Sequence, residues 1–235
     1  MDAMGRFRFC VSLIFMGSDD LHLKKRERTN KDFKRKKQTL LRQPKVLIVC
    51  EDSKSSAFYL EELAKDLGLT AVKVEGKRCG SAPSSVLVFA KDQYAKSKQD
   101  GDAYNRVYCV FDRDQHDSFD ATVKTITEIK PENTFFSITT TPCFEFWLLL
   151  HFAKDTSPYQ VSGNKSSCDN ANAKLKSYWA DYGKSKRGIY AHSKQYMQTA
   201  ITNAKLLIDH NLTTNSINPQ TYMHTLVEYL QSIPR

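Results

Sequence analysis

Two stretches of the chain share one pattern. Lys45-Val46-Leu47-Ile48-Val49-Cys50-Glu51 is an unbroken apolar run of strand length that ends on a carboxylate. Val107-Tyr108-Cys109-Val110-Phe111-Asp112 repeats it further along. A strand with one face in water alternates apolar and polar residues; a continuous run has both faces covered. The segments around these runs supply the cover. A helix over about 54–67 follows the first run, capped by Ser53, with Phe58, Leu60, Leu63, Ala64 and Leu67 at helical spacing and Gly68 as its stop. A second strand falls at 70–74, and Gly80-Ser81-Ala82-Pro83 opens a helix reaching about residue 98, with proline in its first turn. The third strand spans 106–111, a helix 119–129, a fourth strand 133–138, and an apolar helix starts at Thr141-Pro142 and ends near 152. Strands alternating with helices in this way predict an α/β fold: a parallel sheet sandwiched by helices over 45–153.

Residues 155–170 are rich in Ser, Gly and Asn and read as a loop. Helical patterns follow near 171–182, 192–211 and 219–232, with no strong strand, so 154–235 is expected to be a helical extension of the same domain. Residues 1–44 are expected to be a flexible basic leader. Within it, 9–16 is a short apolar run behind Arg6 and Arg8 that mimics a signal peptide without a small-residue cleavage site, and Met16 is a candidate start with 1–15 left untranslated.

The net charge of the 235-residue chain is +9, and it is local. Residues 24–45 hold eleven Lys and Arg, among them Lys34, Arg35, Lys36 and Lys37, against Glu27 and Asp32, which leaves the rest close to neutral. A tail of this kind suits phosphate contacts on nucleic acid, and equally reads as a solvated leader. The six cysteines form no C-x-x-C and no Cys/His cluster of zinc spacing; Cys50 and Cys109 lie inside apolar runs and are expected as buried thiols. Reduced thiols and the lack of a membrane-length apolar run point to a cytoplasmic protein.

The carboxylates fall where chemistry is expected. In a parallel sheet the carboxyl ends of the strands lie on one edge, so Glu51 and the Asp112-Arg113-Asp114 segment converge there if their strands are neighbours. Asp112 and Asp114, two apart on extended chain, face the same way. Clustered carboxylates repel unless a cation neutralises them, and hard oxygens favour Mg²⁺ or Mn²⁺; a carboxylate after a strand is also a common turn former. Glu145 sits in a segment apolar nearly all round, so it needs a metal, a cation or a helix N-terminus. His151 reads either as a core histidine or as a catalytic group, and His116 as an exposed loop residue. Lys54 and Arg113 are candidates for phosphate contact or for solvated surface charge.

The segments Ile48-Val49-Cys50-Glu51, Val110-Phe111-Asp112-Arg113-Asp114, Pro142-Cys143-Phe144-Glu145-Phe146-Trp147-Leu148-Leu149-Leu150-His151-Phe152 and Asn218-Pro219-Gln220-Thr221 through Glu228 resemble the RloB-like family over about residues 40–232. The family resembles the TOPRIM fold, in which a Glu after one strand and a D-x-D after a later one bind divalent metal. The resemblance thus implies a TOPRIM-like sheet, with Glu51, Asp112 and Asp114 on Mg²⁺ or Mn²⁺ and Glu145 completing a catalytic set. It also implies a nuclease acting on DNA or RNA in antiphage defence, triggered by an ABC-type or OLD-like ATPase encoded nearby. The family's Glu is commonly followed by Gly and a second Glu; here Asp52 and Ser56 stand in those places, and Thr141 replaces an Asn as an expected cap. A non-catalytic nucleic-acid-binding or ATPase-docking subunit and a primase-like nucleotidyl transferase are the alternatives. A symmetric homodimer through the C-terminal helices is compatible with either reading.

Overall fold

The computed structural model describes residues 43–76, 82–113 and 117–234. Lys34, Arg35, Lys36, Lys37, Asp114 and His116 lie outside the described residues. Five strands form one sheet: β1 (Val46–Cys50), β2 (Val72–Glu75), β3 (Arg106–Asp112), β4 (Phe135–Thr141) and β5 (Gln220–Thr221), in the order β2-β1-β3-β4-β5. The first four are parallel and β5 is antiparallel to β4. The fold is α/β with a mostly parallel sheet and a helical C-terminal part.

The unbroken apolar runs do what they predict. Val46, Ile48 and Cys50 point into one core, Leu47 and Val49 into another. Helices α1 (Ser55–Asp66) and α4 (Phe144–Leu149) pack on the first face. With them stand the C-terminal helices α5 (Ser167–Tyr178), α6 (Ile189–Ser193), α7 (Met197–Thr214) and α8 (Met223–Ser232). On the opposite face of the sheet the second core is closed by α2 (Pro83–Gln99) and α3 (Phe119–Glu128). Each fully buried Val, Leu or Ile contributes about 1.5–3 kcal/mol to this arrangement. At the amino edge Lys45, the last cation of the basic run, is committed to the fold: its ammonium pairs with Asp102 at 2.8 Å and its N–H donates to Asn105 Oδ1 at 2.7 Å.

Several boundaries differ from the sequence expectation, each for a local reason. Ser53 does not cap α1: Lys54 holds the N-cap position, and Asp52 two residues earlier accepts the N–H of Lys54 (2.8 Å) and of Ser56 (3.3 Å). Strand β4 starts after Asn133, whose positive φ of 59° turns the chain, and it runs on through Thr141. Thr141 is therefore a strand residue paired with Gln220, and Cys143 takes the N-cap position of a helix much shorter than expected. The Ser-rich loop ends early because Ser166 and Asp169 form a capping box, with Ser166 Oγ accepting the Asp169 N–H at 3.1 Å and Asp169 Oδ2 accepting the Ser166 N–H at 2.9 Å. Gln220–Thr221 is a strand rather than helix, and its Thr221 hydroxyl lies 3.0 Å from that of Thr140.

The C-terminal helices are held to α1 by its acidic side. Glu62 accepts the N–H groups of Gly188 (2.6 Å) and Tyr190 (3.0 Å) at the start of α6, and Asp66 accepts from Tyr190 and Lys194. Arg187 pairs with Glu61 at 2.8 Å while lying over the Phe58 ring. Asp155 is held below the usual carboxylate range: burial pushes it up, but hydrogen bonds from Lys174 and Tyr159 outweigh that. Among the described residues no helix is long and apolar enough to cross a membrane.

Ile48 is fully buried at the centre of β1, whereas Val88 on α2 is 68% exposed. Ile48→Ala is expected to cost about 2–5 kcal/mol in urea unfolding, and Val88→Ala about 0.5 kcal/mol or less. Equal effects would mean that β1 is not the two-sided core described.

Candidate functional site

The chain leaves β1 toward β2 on one side and returns to β3 on the other, so the strand order reverses between β1 and β3. Such a reversal opens a crevice at the carboxyl ends of the strands. Cys50 stands beside Val110 in the register, and the residues that leave each strand meet there. The Glu51 N–H donates to Val110 O at 2.9 Å. In turn the Asp112 N–H donates to Glu51 Oε2 at 3.1 Å, and the Phe144 N–H to Asp112 Oδ2 at 3.2 Å. Two carboxylates that sequence placed after separate strands are thus tied to one another through the backbone.

A cleft of about 340 Å³ lies over this edge, lined by Glu51, Asp52, Ser53, Ser56, Asp112, Phe144, Glu145 and Lys184. A larger cavity of about 460 Å³ lies at the amino edge of the sheet among Lys45, Thr70, Val72, Asp102 and Tyr104, and it gathers no comparable set of carboxylates. Gly76, after β2, lies against the Asp52–Ser53 backbone. A Cβ there would stand 2.9 Å from Asp52 O and from Ala57 Cβ, so only glycine lets β2 end so close to the Glu51–Ser53 turn.

Glu145 occupies the far wall as the second residue of α4 and is only 2% exposed. Its partners come from elsewhere in the chain. Tyr182 donates its hydroxyl to Oε1 at 2.8 Å, and Ser55 Oγ lies 3.3 Å from the same oxygen. The Lys184 ammonium lies 3.3 Å from Oε2. Burial, followed by the Glu145 charge, pushes the Tyr182 phenol up, so it stays a proton donor. Cys168 Sγ is 3.6 Å from Oε2, and Cys143 and Cys168 form a disulfide with Cα atoms 5.6 Å apart. Cys50 and Cys109 are buried and lie outside the disulfide, as thiols inside apolar runs were expected to be. Among the described residues, the three metal-ligating groups that come within 4.8 Å of one another are Cys143, Glu145 and Cys168, not Glu51, Asp52 and Asp112.

The remaining candidates divide. Ser56 and Asp52 both line the cleft, Asp52 with its carboxylate accepting the N–H groups of Lys54 and Ser56. Lys54 is exposed at the start of α1 and is not among the residues lining the cleft. Arg113 turns toward α3, with Nη2 3.2 Å from Asp120 and its guanidinium over the Phe119 ring. His151 is a core residue, 1% exposed, with Nδ1 3.1 Å from Trp147 O and Nε2 3.4 Å from the Tyr59 hydroxyl. Tyr182, Lys184, Ser55 and Cys168 were not singled out from sequence. For Ser55 the signal was its place one turn after Glu51. For Tyr182 and Lys184, in an irregular segment beyond α5, there was none.

A doubly wound α/β domain with carboxylates gathered at its switch point is the class that this fold and cleft define. Within that class, the chain belongs to the RloB-like family, whose model, described as RloB-like protein, matches residues 46–230. No curated protein and no solved structure matches it.

Burial holds His151 at about 4, below its ordinary 6.5, so the folded protein keeps it neutral where the unfolded chain protonates it. Its share of stability is present in full above pH 6.5 and is lost as pH falls toward 4, roughly 3 kcal/mol across that window. Urea unfolding of wild type between pH 4 and 7 should show this slope, and His151→Phe should flatten it. An unchanged slope in the variant would place the titration elsewhere.

Proposed function

We propose that this chain is a TOPRIM-like, Mg²⁺- or Mn²⁺-dependent phosphodiesterase acting on DNA or RNA, an effector of antiphage defence triggered by a partner ATPase. One observation carries the reading: Glu51 and Asp112 emerge side by side at the β1/β3 switch point, joined by the Asp112 N–H. Two hard carboxylates at that place fit a hard divalent cation. They would hold it, with Asp114 as the third ligand that the family resemblance implies. The Cys143, Glu145 and Cys168 group offers sulfur and already carries the Lys184 ammonium, so it suits a different purpose.

When bound, such a cation stabilises charge on a phosphoryl oxygen and lowers the pKa of an attacking water. The chain's own residues do the rest. The Asp112 and Phe144 N–H groups fix both carboxylates in orientation, so no reorganisation is needed when a phosphate arrives. Lys184 brings a positive charge to the wall of the cleft, and Ser53 and Ser56 also line it. Glu145, engaged by Tyr182, Ser55 and Lys184, acts in positioning the wall. The basic leader supplies sequence-independent phosphate contacts whose strength falls with salt. The cytoplasmic setting rests on the buried thiols Cys50 and Cys109, and the ATPase partner on the family resemblance.

The accessory-subunit reading has one observation in its favour: a carboxylate after a strand that accepts a neighbouring amide N–H is also what a turn needs. Cleavage of labelled tRNA, single-stranded DNA and duplex DNA in Mn²⁺ separates the two. Wild type should cleave at least one substrate. Glu51→Gln and Asp112→Asn should each lower the rate on the order of 100-fold, with nucleic-acid binding nearly unchanged. Wild-type silence on every substrate, with the neighbouring ATPase present, would decide for the accessory subunit.

A further inference from the structure

The disulfide beside Glu145 has surroundings that a purely structural bond does not need. Cys143 is the N-cap residue of α4, and the next two residues are Phe144, whose N–H holds Asp112, and Glu145 itself. Cys168 lies in the first turn of α5, on a segment set by the Ser166–Asp169 capping box and half-open to solvent. Lys184 donates to Cys168 Sγ at 3.5 Å and also reaches Glu145 Oε2 at 3.3 Å. Cys143 is buried at 3% exposed. One accessible sulfur beside an ammonium and one enclosed sulfur behind it make the pairing of an attacking and a resolving cysteine.

We propose that Cys143 and Cys168 are a reversible oxidation site, with Cys168 as the reactive thiol, whose bond tethers the Pro142–Glu145 turn to α5. In the reduced chain Lys184 stabilises the Cys168 thiolate. That thiolate attacks one sulfur of a low-molecular-weight disulfide such as oxidised glutathione, forming a mixed disulfide and releasing one thiolate. The Cys143 thiolate then attacks Cys168 Sγ, closing the Cys143–Cys168 bond and releasing the second thiolate. The two protons shed by the cysteines pass to the released thiols or to solvent, and the glutathione disulfide is the species reduced. On reduction the thiolate competes with Glu145 for Lys184, and the turn that positions both Glu145 and the Phe144 N–H loses its tether. None of this chemistry depends on cation binding or cleavage.

The test is native alkylation with iodoacetamide followed by peptide mass analysis, on full-length protein kept oxidised or treated with dithiothreitol. Oxidised protein should yield one linked peptide pair holding Cys143 and Cys168. Reduced protein should be alkylated first at Cys168, ahead of Cys143, Cys50 and Cys109, and excess oxidised glutathione should restore the linked pair. Lys184→Met, at an exposed position, should slow Cys168 alkylation at neutral pH severalfold. Amide hydrogen exchange over 142–150 should rise on reduction of wild type. Both thiols still free after glutathione disulfide, or a Cys168 rate indifferent to Lys184→Met, would overturn the proposal. Unchanged exchange over 142–150 would overturn the tether. A protein that passes these tests yet cleaves nothing in Mn²⁺ would count against the phosphodiesterase alone.

Discussion

Two backbone amides hold the acidic edge together. The Asp112 N–H points at Glu51 and the Phe144 N–H at Asp112, so a short relay of hydrogen bonds runs from the end of β1 through β3 to the start of α4. Hydrogen bonds to a charged acceptor contribute about 1.5–3 kcal/mol each, more than a neutral pair. Their geometric effect is larger still. Each carboxylate is oriented by a donor that cannot rotate, because that donor belongs to a strand or to the turn that follows one. Removing Phe144 from its place would take this donor from Asp112, and displacing β3 would take the other from Glu51.

The relay explains why part of the site was legible and part was not. Val46–Cys50 and Arg106–Phe111 are read from sequence because burial on both faces leaves an unbroken apolar signature, and Glu51 and Asp112 are read as the first polar residues beyond. That they are neighbours follows from a parallel sheet only once the order β2-β1-β3 is known. Tyr182 and Lys184 left no such trace: their segment is irregular, and nothing local distinguishes a tyrosine that meets Glu145 from one that faces water. Cys143 and Cys168 carry no recognisable spacing, since their meeting depends on α5 packing beside α4. The early start of α5, by contrast, was available in the Ser166-to-Asp169 pattern, obscured by the Ser- and Asn-rich composition around it.

Charge distribution divides the labour along the chain. The basic stretch carries a net charge equal to that of the whole protein, so the folded body is nearly neutral and its cleft is acidic at the sheet edge. On the proposed function, a polyanion would need a long-range attraction from the basic stretch and, separately, a local neutralisation at the carboxylates; Lys45, the last cation of that stretch, is already bound to Asp102.

Glu145 shows why the C-terminal helices cannot be an optional addition to the sheet. Its side chain is almost wholly enclosed, and an enclosed carboxylate without partners is costly. Its cation, Lys184, and its closest donor, Tyr182, both lie beyond residue 153, as does the sulfur of Cys168; only Ser55 belongs to the first part of the chain. The apolar faces argue the same way, because Phe146, Trp147 and Leu148 share one core with Leu175, Leu207 and Leu226. A fragment ending near 153 would therefore expose that core and leave Glu145 without its cation. The wall of the cleft is completed by the last third of the chain, and any chemistry at Glu51 and Asp112 takes place against a surface that the sheet does not itself provide.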